Sequence, residues 1–290
     1  MPKTSPFYLA LITGTMISGT FGNYAFAADI ADAPLPAVSA INGKIEIGAG
    51  YGDIDVIGDT GVFMGAASLS IPLGDTFGFQ ADVAVVDAFK ETGFGGAGHL
   101  FTRDPNSYLL GAIGGYTDFG NADAIWGGAE AELYLDNISI ELAGGYMGVN
   151  RDNGSDSGEL FAFADIAFYA TENFRLDVGA RSVAGFETGS VGFEWMMDET
   201  PLSIKGTVRA GEDDFVAATM GVSYYFGGNE ASKSLMRRHR EDDPRNRVLD
   251  IFGSGAAAGL GRGELEDVED VVPVVCDFDP ETPLPPCEPT

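Results

Sequence analysis

The stretch 216–226, VAATMGVSYYF, limits what this chain can fold into more than any other. Taken two at a time, Val216, Ala218, Met220, Val222, Tyr224 and Phe226 form an apolar face that ends in two aromatics. Ala217, Thr219, Gly221, Ser223 and Tyr225 form the opposite face, small and mostly polar. A strand sends alternate side chains to opposite faces, whereas a helix would scatter both sets around its axis. The run stops at Gly227-Gly228, and its length matches the roughly 9–11 residues of a transmembrane β-strand. In lipid, such a strand needs a partner on each edge for its backbone groups, which only a closed barrel supplies.

The rest of the chain reads as those partners. From about Ile41 the alternation divides into twelve strands, near 43–52, 61–72, 76–87, 93–103, 107–118, 123–135, 138–149, 159–170, 173–183, 189–197, 201–210 and 215–226. One set of connections is tight: Gly74-Asp75, Asp104-Pro105-Asn106, Asp136-Asn137, Thr171-Glu172-Asn173 and Asp198-Glu199-Thr200. These are turn-forming residues. The other set, 53–60, 87–92, 118–122, 150–158, 184–188 and 211–214, reads as mostly longer and more acidic. Short turns at one end and longer loops at the other are the pattern of a membrane barrel, and an even strand number returns both barrel ends to the turn side. Aromatics fall at two heights. Phe77, Tyr108, Tyr134, Tyr169, Phe174, Trp195 and Phe226 lie near the turns, and Tyr51, Phe63, Phe89, Phe94, Tyr116, Trp126, Tyr146 and Phe215 near the loops. They read as two interfacial girdles.

The N-terminus, MPKTSPFYLALITGTMISGTFGNYAFA, has a basic Lys3, an apolar core and a small-x-small end at Ala25-Phe26-Ala27. It reads as a secretory signal peptide over 1–27, followed by a flexible lead-in over 28–40. With 44 acidic and 16 basic side chains the net charge is −28, which repels phosphate and excludes nucleic acid as a partner. Beyond 228 the composition changes. Residues 233–247 are charge-dense, 253–263 are Gly/Ala-rich, and the remainder is acidic and Pro-rich. The stretch 229–290 is therefore expected to be a low-complexity, disordered tail in the periplasm. Its Cys276 and Cys287 are expected to form a disulfide in an oxidising compartment.

Within the first stretch, Gly221, Tyr224 and Phe226 are similar to the C-terminal β-signal read by the barrel-assembly machinery. Met220 stands where that signal usually has a polar residue, and the strand does not end the chain. Over 41–228 the chain resembles the small porin-like outer-membrane β-barrel proteins of Gram-negative bacteria. The fold expected is all-β: a transmembrane antiparallel up-and-down barrel of about twelve strands with a disordered C-terminal tail. The resemblance implies a place in the outer membrane among its lipids, delivery by the assembly machinery, and passive diffusion of small polar solutes or ions. It implies no enzyme activity, no cofactor and no metal.

If Tyr224 and Phe226 face lipid, strand parity assigns the lumen. Lys44, Glu46, Asp82, His99, Glu130, Glu132, Glu141, Asp165, Arg175, Asp177, Arg181, Glu194, Lys205 and Arg209 all point inward. Strands 6–8 form an acidic wall opposite a largely basic wall from strands 9, 11 and 1, and such charged linings select solutes. The same alternation would arise in a soluble β-sandwich. Two lumen states stay open: a conducting channel, or a structural or adhesive barrel plugged by its own salt bridges. An outer-membrane enzyme would have to use His99, yet no serine motif accompanies it. The loop 152–159 and Glu212-Asp213-Asp214 are rich in carboxylates without a full calcium-loop spacing, and read as solvated acidic loops.

Overall fold

The computed structural model describes residues 35–54, 58–120, 122–151, 156–228 and 232–253. The expected signal peptide, residues 28–34 of the lead-in, residues 152–155 of the acidic loop, and Cys276 and Cys287 with their disulfide lie outside the described residues. Twelve strands follow in order: β1 (Asn42–Ile54), β2 (Gly58–Leu73), β3 (Phe77–Ala88), β4 (Glu91–Asp104), β5 (Tyr108–Phe119) and β6 (Ala122–Leu135), then β7 (Ile138–Arg151), β8 (Ser157–Thr171), β9 (Phe174–Val183), β10 (Phe186–Met196), β11 (Leu202–Gly211) and β12 (Val216–Gly227). Two short helices come after them, α1 (Leu235–Glu241) and α2 (Arg247–Ile251).

Each strand pairs antiparallel with its neighbours in sequence, and β1 pairs with β12 to close the barrel. That seam runs from Asn42 opposite Gly227 to Asp53 opposite Val216. Closure leaves no unpaired edge, which is what a sheet in lipid requires. Between β6 and β7 the backbones meet at Gly128 and Gly145. A Cβ on either glycine would lie 2.1 Å from a carbonyl oxygen of the opposite strand, so glycine alone permits this approach.

Apolar and polar faces are arranged inside out relative to a water-soluble protein. Every strand places at least one large apolar side chain on the outside, among them Ile47, Val83, Leu110, Leu142, Val178, Val208 and Val222, with Ile125 67% and Leu160 71% exposed. Meanwhile Gln80, Asp82, His99, Glu130 and Asp165 are buried within. An apolar belt of that extent is untenable in water and is what a hydrocarbon surround stabilises. The parity ambiguity between barrel and sandwich is thereby resolved in favour of the barrel.

Three expectations need correction. Connections span two to five residues at both ends, so the longer loops are missing. The β3–β4 connection is only Phe89-Lys90, with φ of 53° and 68°. Tight hairpins of this kind normally announce themselves by Asn or Gly, and neither is present. The aromatic girdles lose Tyr134, Tyr169, Trp126 and Phe215, which are buried in the interior, and Phe89, which packs against the interior clusters. Residues 35–40 of the lead-in are anchored: Ala37 donates its N–H to Asp75 O at 2.9 Å, and Val38 packs on Phe101, Leu109 and Tyr134.

Candidate functional site

The largest departure from expectation lies after β12. Part of the supposed periplasmic tail, residues 233–253, runs through the barrel interior. Neither α1 nor α2 is long enough to persist alone in water, and both are held by the wall around them.

At the end where β1 begins, the segment is seated on the turns. Leu235 packs between Met196 and Tyr225. The Leu235 N–H donates to Asn173 Oδ1 at 3.1 Å, and the Met236 N–H to Glu172 O at 3.0 Å. Ser234 caps α1 by accepting from the Arg237 N–H. The Arg240 guanidinium lies 5.2 Å from the Tyr134 ring and 5.6 Å from the Tyr169 ring, and donates to the carbonyls of Asp136 and Ile138 at 2.9 Å each. His239 sits between the hydroxyls of Tyr169, at 3.0 Å, and Tyr225, at 3.2 Å. Lys233 Nζ reaches Asp242 at 2.6 Å and Ser39 Oγ at 2.8 Å, tying the segment to the anchored lead-in.

Further in, the contacts become ionic. Asp243 meets Lys44 at 2.7 Å, and Gln80 donates to Pro244 O at 3.0 Å. Arg245 reaches Asp165 at 3.3 Å and Glu141 at 3.7 Å. Asn246 caps α2 through the Leu249 N–H and donates to Ser68 Oγ at 3.3 Å. Asp250 accepts from Arg181 at 3.2 Å, Arg245 at 3.1 Å and Arg247 at 3.0 Å. Arg181 also donates to Asp165 at 2.8 Å and Ser190 at 2.7 Å. Val248, Ile251 and Phe252 then enter an apolar cluster with Val62, Val86, Phe119, Trp126, Phe161 and Phe163. The interior is thus charged toward the β1 end and apolar toward the other.

All fourteen residues assigned to the lumen face the interior. Lys44, Glu46, Asp82, His99, Glu130, Glu132, Glu141, Asp165, Arg175 and Arg181 are buried, and Asp177, Glu194, Lys205 and Arg209 half-buried. They do not stand as two opposed open walls. Arg175 pairs with Glu141 at 2.8 Å, Lys205 with Glu46, and Arg209 donates to Gly253 O. His99 is enclosed, with Nε2 3.0 Å from Asp82 and Nδ1 2.9 Å from Glu130, while Gln80 links Asp82 to Ser70. Both ring nitrogens are committed to carboxylates. Among the described residues no cluster suited to holding a metal is present.

Sequence reasoning missed the wall residues Arg103, Tyr134, Tyr169 and Tyr225 and the whole inner set from 233 to 253. One signal was available: six of the sixteen basic side chains of a strongly acidic chain lie between 233 and 247. Carboxylates removed from water need counter-charges, and this segment supplies them to Glu141 and Asp165 while its own acids meet Lys44 and Arg181. Beside the segment a cavity of about 200 Å³ remains, lined by Lys44, Glu46, Arg175, Glu194, Lys205 and Met64 among others.

On Tyr224 and Phe226 the two rings stack outside the barrel with centroids 6.5 Å apart, while Gly221 lies on the inner face opposite Gly48. No protein-family model and no curated protein matches the sequence. Among solved structures the chain is similar to a KdgM porin in complex with disordered oligogalacturonate, at 12% identity and a TM-score of 0.49, over 63% of this chain and 99% of that one. It is also similar to an outer-membrane channel from Pseudomonas putida F1, at 10% identity and 0.47, over 69% and 100%. A third is outer-membrane phospholipase A from Escherichia coli, at 15% and 0.41, over 64% and 92%. The likeness is one of general barrel build.

Proposed function

We propose that the protein is a porin-like outer-membrane barrel whose solute path is closed by its own segment 233–253. The observation that carries this reading is Arg181, a wall residue shared between wall Asp165 and inner Asp250. With the segment in place, the remaining cavity of about 200 Å³ is smaller than an ordinary small-ligand pocket of roughly 300–1,000 Å³. Displacing the segment uncovers Glu130, Glu141 and Asp165, releases Lys44 from Asp243 and leaves Arg181 with its wall partners Asp165 and Ser190 alone, giving a charged lumen for passive diffusion of small polar solutes or ions. The apolar belt supports residence among outer-membrane lipids, and Gly221, Tyr224 and Phe226 on the closing strand serve recognition by the assembly machinery. His99 has no catalytic part here, because its nitrogens brace Asp82 and Glu130 against each other.

Single-channel conductance in planar bilayers tests the proposal. The full chain is expected to be nearly silent, and a chain ending after Gly228, or carrying Asp250→Ala, to conduct. Equal conductance of all three would overturn the closure. Silence of the folded, heat-modifiable truncated barrel would overturn the channel.

A further inference from the structure

The segment does more than sit in the lumen; it advances through it. Residues 235 and 236 bond to the β8–β9 turn at the end where β1 begins. Asp243 and Pro244 then meet Lys44 and Gln80, each only a few residues inside that end. Asn246 reaches Ser68, which pairs with Lys44 in the wall, and also Val83 O at 3.5 Å, near the middle of β3. Val248 abuts Gly95, and Phe252 lies against Gly93 and 6.2 Å from Phe119, the last residue of β5. Gly253 O accepts from Arg209, two residues short of the far end of β11. Order along the chain and height in the barrel therefore increase together.

We infer that residues 254–290 leave through the mouth opposite the one at which β1 begins, so that the C-terminal segment crosses the membrane inside its own barrel. This rests on the membrane-barrel reading above. Gly253 lies on the order of 10 Å below that rim at about 3.3 Å per strand residue. The ten residues that follow, SGAAAGLGRG, contain no bulky side chain except Leu260 and Arg262, and reach roughly 30 Å when extended. A return to the β1 end would need a second pass of main chain through a lumen already occupied by residues 233–253, beside which a cavity of about 200 Å³ remains. In an outer-membrane barrel the strand termini face the periplasm, so the opposite mouth faces outward. The barrel then holds on the cell surface a segment bearing nine acidic side chains and one basic one. Barrel and segment form an anchor and its displayed load.

The test is labelling of Cys276 and Cys287 in the full chain, in intact cells after mild reduction, with a membrane-impermeant maleimide. Two reference variants, each made in a Cys276→Ser/Cys287→Ser background, fix the two ends: Thr76→Cys in the β2–β3 turn and Glu91→Cys at the start of β4. The inference expects the native cysteines to label in intact cells to the same extent as Glu91→Cys, while Thr76→Cys labels only after permeabilisation. Labelling of the native cysteines that follows Thr76→Cys would overturn it while leaving the barrel in place. Loss of heat-modifiable mobility in the outer-membrane fraction would instead sink the barrel reading, and the inference with it.

Discussion

The two inner helices are held in different ways. α1 rests at the mouth on rings and main-chain carbonyls: Arg240 over Tyr134 and Tyr169, Arg238 5.3 Å from the Tyr225 ring, and Leu235 beside Met196. Part of it stays wet, since the Arg237 side chain is 41% exposed. α2 lies deep, with Arg247, Val248, Asp250 and Ile251 buried. Its one carboxylate gathers three guanidinium groups, and its apolar residues enter the main interior cluster. Rim contacts trade against water at little net gain, whereas buried charge must be paired or heavily penalised. α2 therefore acts as the lock and α1 as a seal around the entry.

The difference can be broken from its strong side first. Asp250→Ala takes from Arg181, Arg245 and Arg247 the carboxylate they share, leaving Asp165, Glu141 and Glu130 as the neighbouring acids, and removal of one partner from a buried ionic set costs about 3–5 kcal/mol. Release of the segment is expected, read as rapid protease cutting within 233–253 in the folded barrel. Ile251→Ala keeps the charges and removes apolar packing, with an expected loss at the lower end of roughly 2–5 kcal/mol and faster hydrogen exchange of α2 before that of the strands. Arg240→Ala removes two ring contacts and two carbonyl bonds at the mouth, worth about 1–2 kcal/mol, and is expected to loosen α1 while α2 stays protected. Arg237→Ala removes the half-exposed i,i+4 pair with Glu241, worth about 0.5 kcal/mol or less, and is expected to leave the protease pattern unchanged. Should Arg240→Ala expose α2 as readily as Asp250→Ala does, the division into lock and seal is wrong.

Much of the wall was legible because strand chemistry is local and repeats every second residue. Each strand boundary lies within three residues of its expected place. The parity of Tyr224 and Phe226 carried through hydrogen-bonded pairs to place fourteen polar side chains inside. The same parity contained the aromatic correction: Tyr134 is two residues from Glu132, Tyr169 four from Asp165 and Trp126 four from Glu130, so each shares the inward face. Height along the strand suggested a girdle, and direction decided against it. Loop lengths were misread because Phe89-Lys90 turns without the residues that usually mark a turn. The inner segment was opaque for a different reason. Its helices are short, its composition resembles a solvated tail, and its order comes from partners more than a hundred residues away, as with Lys44 and Asp243. Nothing local in 233–253 distinguishes a charge that meets water from one that meets a wall.

The central claim, that this segment fills the barrel, is tested most directly by a cross-link across the interior. A Cβ at Gly95 would lie 2.7 Å from Val248 Cγ1, so Gly95→Cys with Val248→Cys, in a Cys276→Ser/Cys287→Ser background, brings two thiols together only if α2 sits where described. The expected result is a disulfide in the assembled outer-membrane protein, seen as a mobility shift abolished by reductant and absent from either single variant. A heat-modifiable, correctly assembled double variant whose two thiols stay free and separately reactive would contradict the account.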